Sequence, residues 1–181
     1  MSICMRFPLA RSSCPCMIFV RVFEDLTISA GFIPTIAMDA LAAYMQCRTG
    51  QCSCTRTSSS DNIFGTDSSN TISGGGGGDN ILGRGGNDVV SGGSGGDNII
   101  GSSSDDRLNG DEGSDALAGG SGRDTLNGGD GDDVLNSGGG DDTPTGGPGA
   151  DEFDCGDGTD TVTDFNEDEG DTAEDNFENG V

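Results

Sequence analysis

Twelve carboxyl or carboxamide side chains recur at intervals of nine residues in this chain: Asp61, Asn70, Asp79, Asp88, Asp97, Asp106, Asp115, Asp124, Asp133, Asp142, Asp151 and Asp160. Two residues after each stands Ile63, Ile72, Ile81, Val90, Ile99, Leu108, Leu117, Leu126, Leu135, Pro144, Phe153 or Val162, apolar in every case but Pro144. The register runs through residues 56–163 with no insertion or deletion. A carboxylate ladder this regular needs cations. Oxygen from carboxylates and backbone carbonyls is the donor set of a hard ion such as calcium, which takes about 6–8 ligands in a flexible cage. Magnesium holds its waters and demands a stricter octahedron. Zinc prefers imidazole or thiolate, and the repeat has neither apart from Cys155.

The elements that must hold these carboxylates follow from the same columns. The clearest rows are Gly74-Gly75-Gly76-Gly77-Gly78-Asp79-Asn80-Ile81-Leu82, Gly92-Gly93-Ser94-Gly95-Gly96-Asp97-Asn98-Ile99-Ile100 and Gly119-Gly120-Ser121-Gly122-Arg123-Asp124-Thr125-Leu126-Asn127. Each divides into a six-residue glycine-rich turn ending in Asp and a three-residue strand whose middle side chain faces inward, since strand side chains alternate faces. Glycine gives the turn backbone angles closed to other residues and lets carbonyls approach one point. A fixed period predicts a stack in which each unit touches only its neighbours.

Composition divides the chain. Residues 1–60 carry five arginines against Glu24, Asp25 and Asp39, a net of +2, whereas residues 61–181 carry three arginines against 29 acids, a net of -26. The second part also holds 32 of the 34 glycines. Such composition by itself predicts disorder, because burial cannot offset the entropy of ordering so much glycine. Its field also makes nucleic acid and anionic membrane surfaces poor partners. With no histidine in the chain, Ser-His-Asp, Cys-His and histidine-based zinc-protease sites are excluded. No catalytic constellation is visible, and the chain by itself reads as a non-enzyme.

The rows resemble the glycine-rich calcium-binding nonapeptide of the repeats-in-toxin (hemolysin-type) family, G-G-x-G-x-D-x-U-x with U a large apolar residue. The resemblance covers residues 56–163. It implies an all-β fold, a right-handed parallel β-roll with two nine-residue repeats per coil, in which each calcium lies between the turns of rows n and n+2. One edge would then carry Asp61, Asp79, Asp97, Asp115, Asp133 and Asp151, and the other Asn70, Asp88, Asp106, Asp124, Asp142 and Asp160. The resemblance also implies backbone carbonyl ligands from the first four turn positions, such as Gly75 and Gly77 with Gly92 and Ser94. The same positions in other rows are Gly86, Gly93, Gly95, Gly110, Gly113, Gly119, Gly120, Ser121, Gly122, Gly128, Gly129, Gly131, Gly138, Gly140 and Gly146.

Departures from the pattern mark expected weak points. The turn ending at Asp61 has no glycine, the next has only Gly65 and Asn70 for Asp, and Gly101-Ser102-Ser103-Ser104-Asp105-Asp106 lacks three glycines. Twelve rows give ten n to n+2 pairs, and roughly six to eight occupied calcium sites are expected. Pro144, with no amide hydrogen, predicts a local defect, and Pro148 a second irregularity in the following turn. Successive rows on one side stack at about 4.8 Å, where like charges repel by roughly 3 kcal/mol at an effective dielectric near 20. One buried apolar side chain per row, worth about 1.5–3 kcal/mol, does not offset that repulsion and the ordering entropy together. Calcium converts the repulsion into attraction, so its binding free energy becomes folding free energy.

Three segments are expected: residues 1–55 of unknown role, a roll over residues 56–163, and a closing strand with an acidic tail over residues 164–181. The closing strand is placed at residues 160–166, with Phe153 and Phe165 as lids on the open core, and everything after Asp171 is read as bare tail. The N-terminal segment holds Cys4, Cys14, Cys16, Cys47, Cys52 and Cys54. Disulfides, soft-metal binding and unpaired thiols in a poorly ordered segment all stay open for them. Its most apolar stretch, residues 26–45, is interrupted by Pro34 and Asp39, so a short helix over residues 35–44 is favoured over a membrane span or a signal peptide.

The leading functional reading is a secreted calcium-binding module that folds on binding calcium outside the cell, for the stability and secretion of an extracellular protein. The resemblance implies export by a one-step bacterial exporter. The alternatives are the C-terminal module of a truncated exported hydrolase (protease, lipase or polysaccharide-modifying enzyme) and an adhesion or matrix protein. Ice binding is disfavoured, because no Thr-Asn ladder runs along the turns.

Overall fold

The structure, a computed structural model, describes residues 16–19, 44–47 and 58–174. The strands among them are, in chain order, β1 (Cys16–Phe19), β2 (Tyr44–Cys47), β3 (Asn62–Phe64), β4 (Thr71–Gly76), β5 (Asn80–Gly85), β6 (Val89–Ser94), β7 (Asn98–Ser103), β8 (Arg107–Glu112), β9 (Ala116–Ser121), β10 (Thr125–Asp130), β11 (Val134–Gly139), β12 (Thr143–Thr145), β13 (Glu152–Asp154) and β14 (Thr172–Ala173). They form two sheets, a nine-stranded one in the order β1-β2-β3-β5-β7-β9-β11-β13-β14 and a five-stranded one in the order β12-β10-β8-β6-β4. Each row reverses the chain once, so consecutive rows fall on opposite sides. Rows eighteen residues apart pair in parallel, as in Ile81↔Ile99 and Val90↔Leu108. Twelve rows thus make a β-solenoid of about six coils, all-β among the described residues.

The strands are longer than the sequence predicts. Most run six residues, three from the end of one row and three from the start of the next. Asn80–Gly85, for example, alternates exposed Asn80, buried Ile81 and buried Gly83. The first three "turn" residues therefore still belong to the sheet, and the reversal itself occupies the next three. Glycine is no obstacle here, because the ladder of the adjacent coil holds the extended backbone on both sides.

Three columns point inward: the aspartate, the apolar residue and the first residue of the following row. The apolar column from Ile63 to Leu135, then Phe153 and Val162, forms one continuous core a single side chain wide per row. A core this thin makes each member count. Replacing Leu117, 2 % exposed, by alanine is expected to lower the stability of the calcium-loaded chain by about 2–5 kcal/mol. Chemical denaturation measures this, and a loss within experimental error would contradict the thin core.

Pro144 stays in the core column, buried and in register opposite Leu126. The expected defect takes the form of an early end to the sheet. β12 keeps three residues, and the five-stranded sheet stops with it. Pro144 has no N–H for a strand on its far side, where row twelve still bonds through Thr161 N to Asp142 O at 2.9 Å and Thr163 N to Pro144 O at 3.3 Å but forms no strand. Pro148 falls in the half of the strand that is lost, yet its carbonyl still accepts from Gly131 N at 3.0 Å, so the coil keeps its path.

The C-terminal closure differs from expectation. Residues 160–166 form no strand; β14 does, pairing with β13 through Glu152↔Thr172 and Phe153↔Ala173. The chain after Asp171 is thus not bare tail, at least through Glu174. Phe153, 1 % exposed, belongs to the core itself. Phe165 is the lid, its ring centroid 6.0 Å from that of Phe153 at an interplanar angle of 57°, a tilted contact worth about 0.5–1.5 kcal/mol. At the other end, residues 35–43 of the expected helix lie outside the described residues, and Tyr44 opens a strand instead. Four of the six N-terminal cysteines also lie outside them. The antiparallel pairing of β1 with β2 sets Cys16 opposite Cys47.

Candidate metal centre

Every aspartate of the sixth column is buried, from Asp61 to Asp160, and so is Asn70. Burial comes from the strand alternation, which turns this side chain to the same face as the apolar residue two positions on. From Asp79 onward, one carboxylate oxygen of each aspartate is used in a ladder along the stack. Asp61 N donates to Asp79 Oδ1 at 2.7 Å, Asp79 N to Asp97 Oδ1 at 2.7 Å and Asp97 N to Asp115 Oδ1 at 2.7 Å. The opposite edge repeats this from Asn70 N to Asp88 Oδ1 through Asp142 N to Asp160 Oδ1. In Asp79 through Asp151 the other oxygen has nothing. Oδ2 of Asp79, Asp88, Asp97, Asp106, Asp115, Asp124, Asp133, Asp142 and Asp151 is buried with no hydrogen-bond partner. Nine buried carboxylate oxygens without partners demand either protonation or a cation, since an unpaired buried charge costs several kcal/mol.

The carboxylates respond to that demand. Burial first, then repulsion between neighbours, pushes Asp79, Asp97, Asp106, Asp133 and Asp142 up to about 6, against the opposing pull of the backbone amides. Asp88, Asp115, Asp124 and Asp151 are raised as well, again chiefly by burial. Desolvation thus outweighs the repulsion that the spacing alone suggests.

Backbone carbonyls surround the same gaps. The second and fourth turn carbonyls of one row aim at the row two ahead: Gly77 O lies 2.5 Å from where Gly95 would carry a Cβ, and Gly75 O is closer still to that point on Gly93. The first carbonyl of the later row aims back, Gly92 O lying 2.5 Å from the corresponding point on Gly74. Gly75, Gly77 and Gly92 therefore face one another across the gap, as do their equivalents in the rows that follow. Carbonyls of the first three positions also serve the ladder: Gly146 O accepts from Gly129 N at 2.8 Å, Gly138 O from Asp157 N at 2.7 Å, Ser94 O from Gly77 N at 2.8 Å and Ser121 O from Ser104 N at 2.8 Å. A carbonyl has a second lone pair, so this leaves Ser94 and Ser121 one acceptor site each.

Glycine serves two different purposes in these turns. At the second and fourth positions it supplies the left-handed backbone, as at Gly131 with φ 142°. At the first position φ is ordinary and the reason is space. A Cβ on Gly119 would lie 2.5 Å from Asp124 Oδ2 and 2.7 Å from Ser137 O. Gly119→Ala is accordingly expected to cost about 1–3 kcal/mol of stability and to weaken metal binding at the adjoining gap. Parallel denaturation and calorimetry check both, and a variant equal to the parent in each would show that the space is not needed.

The serine-rich turn is a weak point for a backbone reason. It follows the path of its neighbours, with Asp106 Oδ2 buried and unpartnered like the others, but it holds Ser102 and Ser104 at φ 91° and 81°. Left-handed backbone at a non-glycine residue costs about 1–2 kcal/mol. Ser104→Gly should therefore stabilise the folded chain by about 1 kcal/mol, read as a rise in denaturation midpoint; a fall would refute the strain. Asn70 departs further, since its Oδ1 accepts from Thr66 N at 2.6 Å and its Nδ2 donates to Thr66 Oγ1 at 3.1 Å. That turn is closed on itself without a carboxylate.

Two carboxylates beyond the regular columns join the ladder. Asp171, 7 % exposed, accepts from Asp151 N at 3.0 Å and, through its other oxygen, from Asn166 N at 2.8 Å. It stands where a thirteenth row would place its aspartate, displaced by two residues. Asp164 accepts from Gly146 N at 3.0 Å and Gly147 N at 2.8 Å. The sequence signal was the Asp-x-apolar order of Asp171-Thr172-Ala173, hidden by the break in register.

A scan against family sequence models matches the RTX calcium-binding nonapeptide repeat in four copies, over residues 56–90, 91–126, 110–144 and 127–162. These copies together span more than half of the chain without a gap. The chain belongs to the RTX calcium-binding nonapeptide repeat family. RTX repeats bind calcium, and the RTX roll is a structural module with no catalytic part of its own. Neither the curated proteins nor the solved structures searched give a match. The oxygen-only donor set, the unpartnered Oδ2 atoms and the glycine-lined gaps fit calcium in character. Among the described residues no helix is long and apolar enough to cross a membrane.

Proposed function

We propose that residues 56–163 are a calcium-gated folding module of a secreted protein, unfolded where calcium is scarce and folded where it is plentiful. The observation that carries this reading is the set of nine buried carboxylate oxygens with no partner. Each lies beside a gap faced by backbone carbonyls of two turns, so a cation there satisfies a carboxylate and several carbonyls at once. The ligands are the aspartates from Asp79 to Asp160 with carbonyls of the first four turn positions of successive same-side turns, those engaged in the ladder binding through their second lone pair. Asp61 and Asn70 contribute weakly, because the first turn has no glycine and the second no carboxylate.

Six to eight ions are expected per chain. Extracellular calcium modules bind with dissociation constants of roughly 10⁻⁴–10⁻³ M, a range that leaves the sites empty inside a cell and filled outside. The module then serves stability after export, and a disordered calcium-free chain suits passage through a one-step exporter. Calorimetric titration of the full chain with calcium tests this reading. Six to eight ions in that affinity range support it; one or two ions, or none, would refute it.

A further inference from the structure

Six of the seven cysteines stand before the repeats, at Cys4, Cys14, Cys16, Cys47, Cys52 and Cys54, and the calcium sites use none of them. The fold sets two of them together. β1 pairs antiparallel with β2, with Cys16↔Cys47, Met17↔Gln46, Ile18↔Met45 and Phe19↔Tyr44 as facing residues. Residues directly opposite in an antiparallel pair have Cα atoms about 4.5–5.5 Å apart and share one face of the sheet. A disulfide spans Cα atoms about 4.4–6.8 Å apart. Register alone thus brings Cys16 and Cys47 within bonding range.

The place of this pair in the roll gives the bond a purpose. β1 and β2 form one edge of the nine-stranded sheet. β2 pairs in parallel with β3 through Tyr44↔Asn62, Met45↔Ile63 and Gln46↔Phe64. Met45 therefore takes the register position of the apolar column, and Ile18 stands opposite it. Cys47 lies two residues beyond Met45 and Cys16 two before Ile18, hence on that same face. β1 runs antiparallel where a further coil would run parallel, and so ends the stack, as a terminal unit of a solenoid must. It is also the strand with the least to hold it. It has four residues and a single neighbour. The chain between it and β2 takes residues 20–43, too long for a two-residue turn that would fix the register. A strand pair this short is marginal without a further tie.

We propose that Cys16 and Cys47, opposite each other at the open end of the β1–β2 pair, form a disulfide that fastens the N-terminal edge of the roll. The oxidant is a low-molecular-weight disulfide of the glutathione class. One cysteine thiolate attacks it, forming a mixed disulfide and expelling one thiol, and the second cysteine thiolate displaces the other. Two electrons pass from the cysteines to the oxidant, and the two cysteine protons end on its two thiols. The bond closes a loop over residues 16–47 and removes that freedom from the unfolded chain. It suits the oxidising surroundings of a secreted chain. It rests on the strand register and not on the calcium sites.

The test uses the full chain, equilibrated in calcium with oxidised and reduced glutathione, then quenched in acid, alkylated and cleaved with trypsin without reduction. Cleavage after Arg11, Arg21 and Arg48 puts Cys47 on a different peptide from Cys52 and Cys54. Mass spectrometry is expected to find residues 12–21 joined to residues 22–48, with fragmentation assigning the bond to Cys16 rather than Cys14, and with Cys155 unlinked. A dominant link to residues 49–56, a bond from Cys14, or no link at all would overturn the proposal. A chain with Cys4, Cys14, Cys52 and Cys54 replaced by serine gives the strength of the bond. Its equilibrium constant against glutathione is expected to be at least about tenfold higher in the folded chain than in guanidinium, because folding holds the two strands opposite each other. Equal values would overturn the proposal. Neither readout requires calcium to drive folding. A roll that stays folded after chelation, seen by circular dichroism, defeats the folding switch and leaves the disulfide result standing.

Discussion

Chelation of the calcium-loaded chain is expected to abolish its strand circular dichroism cooperatively, and re-addition of calcium to restore it. The core offers one apolar side chain per row, each worth about 1.5–3 kcal/mol when buried, against the ordering of nine residues at about 1–2 kcal/mol of backbone entropy each. Hydrogen bonding along the stack narrows that deficit, but nine unpartnered carboxylate oxygens widen it again. Each filled calcium site contributes about 2.7 kcal/mol at a hundredfold excess over its dissociation constant. Several sites emptied together therefore remove more than the about 5–15 kcal/mol on which a folded domain rests. An unchanged spectrum after chelation would mean that the roll is held by something other than metal.

Acid should substitute for calcium in part. Five column aspartates stand at about 6 in the folded chain against 3.8 for the unperturbed group. Between those values the folded state binds more protons than the unfolded one, so its stability falls as pH rises. This contribution is full below 3.8 and is lost as pH passes through about 6. The calcium-free chain should accordingly gain strand signal on acidification from pH 7 towards about 4, while calcium affinity falls through the same window as protons compete for the carboxylates. Circular dichroism of calcium-free chain across that range checks the first statement and calorimetry at several pH values the second. A calcium-free chain that loses structure on acidification would reverse the sign and with it the account of the ladder.

Much of the site was legible because it repeats. Asp79, Asp97 and Asp115 announce themselves by a period of nine, and Ile81, Ile99 and Leu117 by following two residues behind. The sequence places Gly83 and Arg84 in a turn whereas the structure keeps them in strand, since glycine reads as turn when the ladder that extends it comes from residues eighteen away. The unbroken register points to a closing strand at residues 160–166. A two-residue insertion carries the real one, with Asp171 at its head, to Thr172–Ala173.

The sequence by itself determined the stack, the two edges on which the carboxylates lie and the hard, oxygen-rich character of the site. Periodicity encodes these directly, and each unit meets only neighbours like itself. Only the tertiary structure decided that, in the nine aspartates from Asp79 to Asp151, one oxygen is spent on the backbone of the preceding coil while the other is left without a partner. It likewise decided that Gly119 is glycine for room where Gly131 is glycine for angle. These are relations between residues eighteen apart, and they take shape only when parallel pairing brings successive same-side coils to within a hydrogen bond of one another.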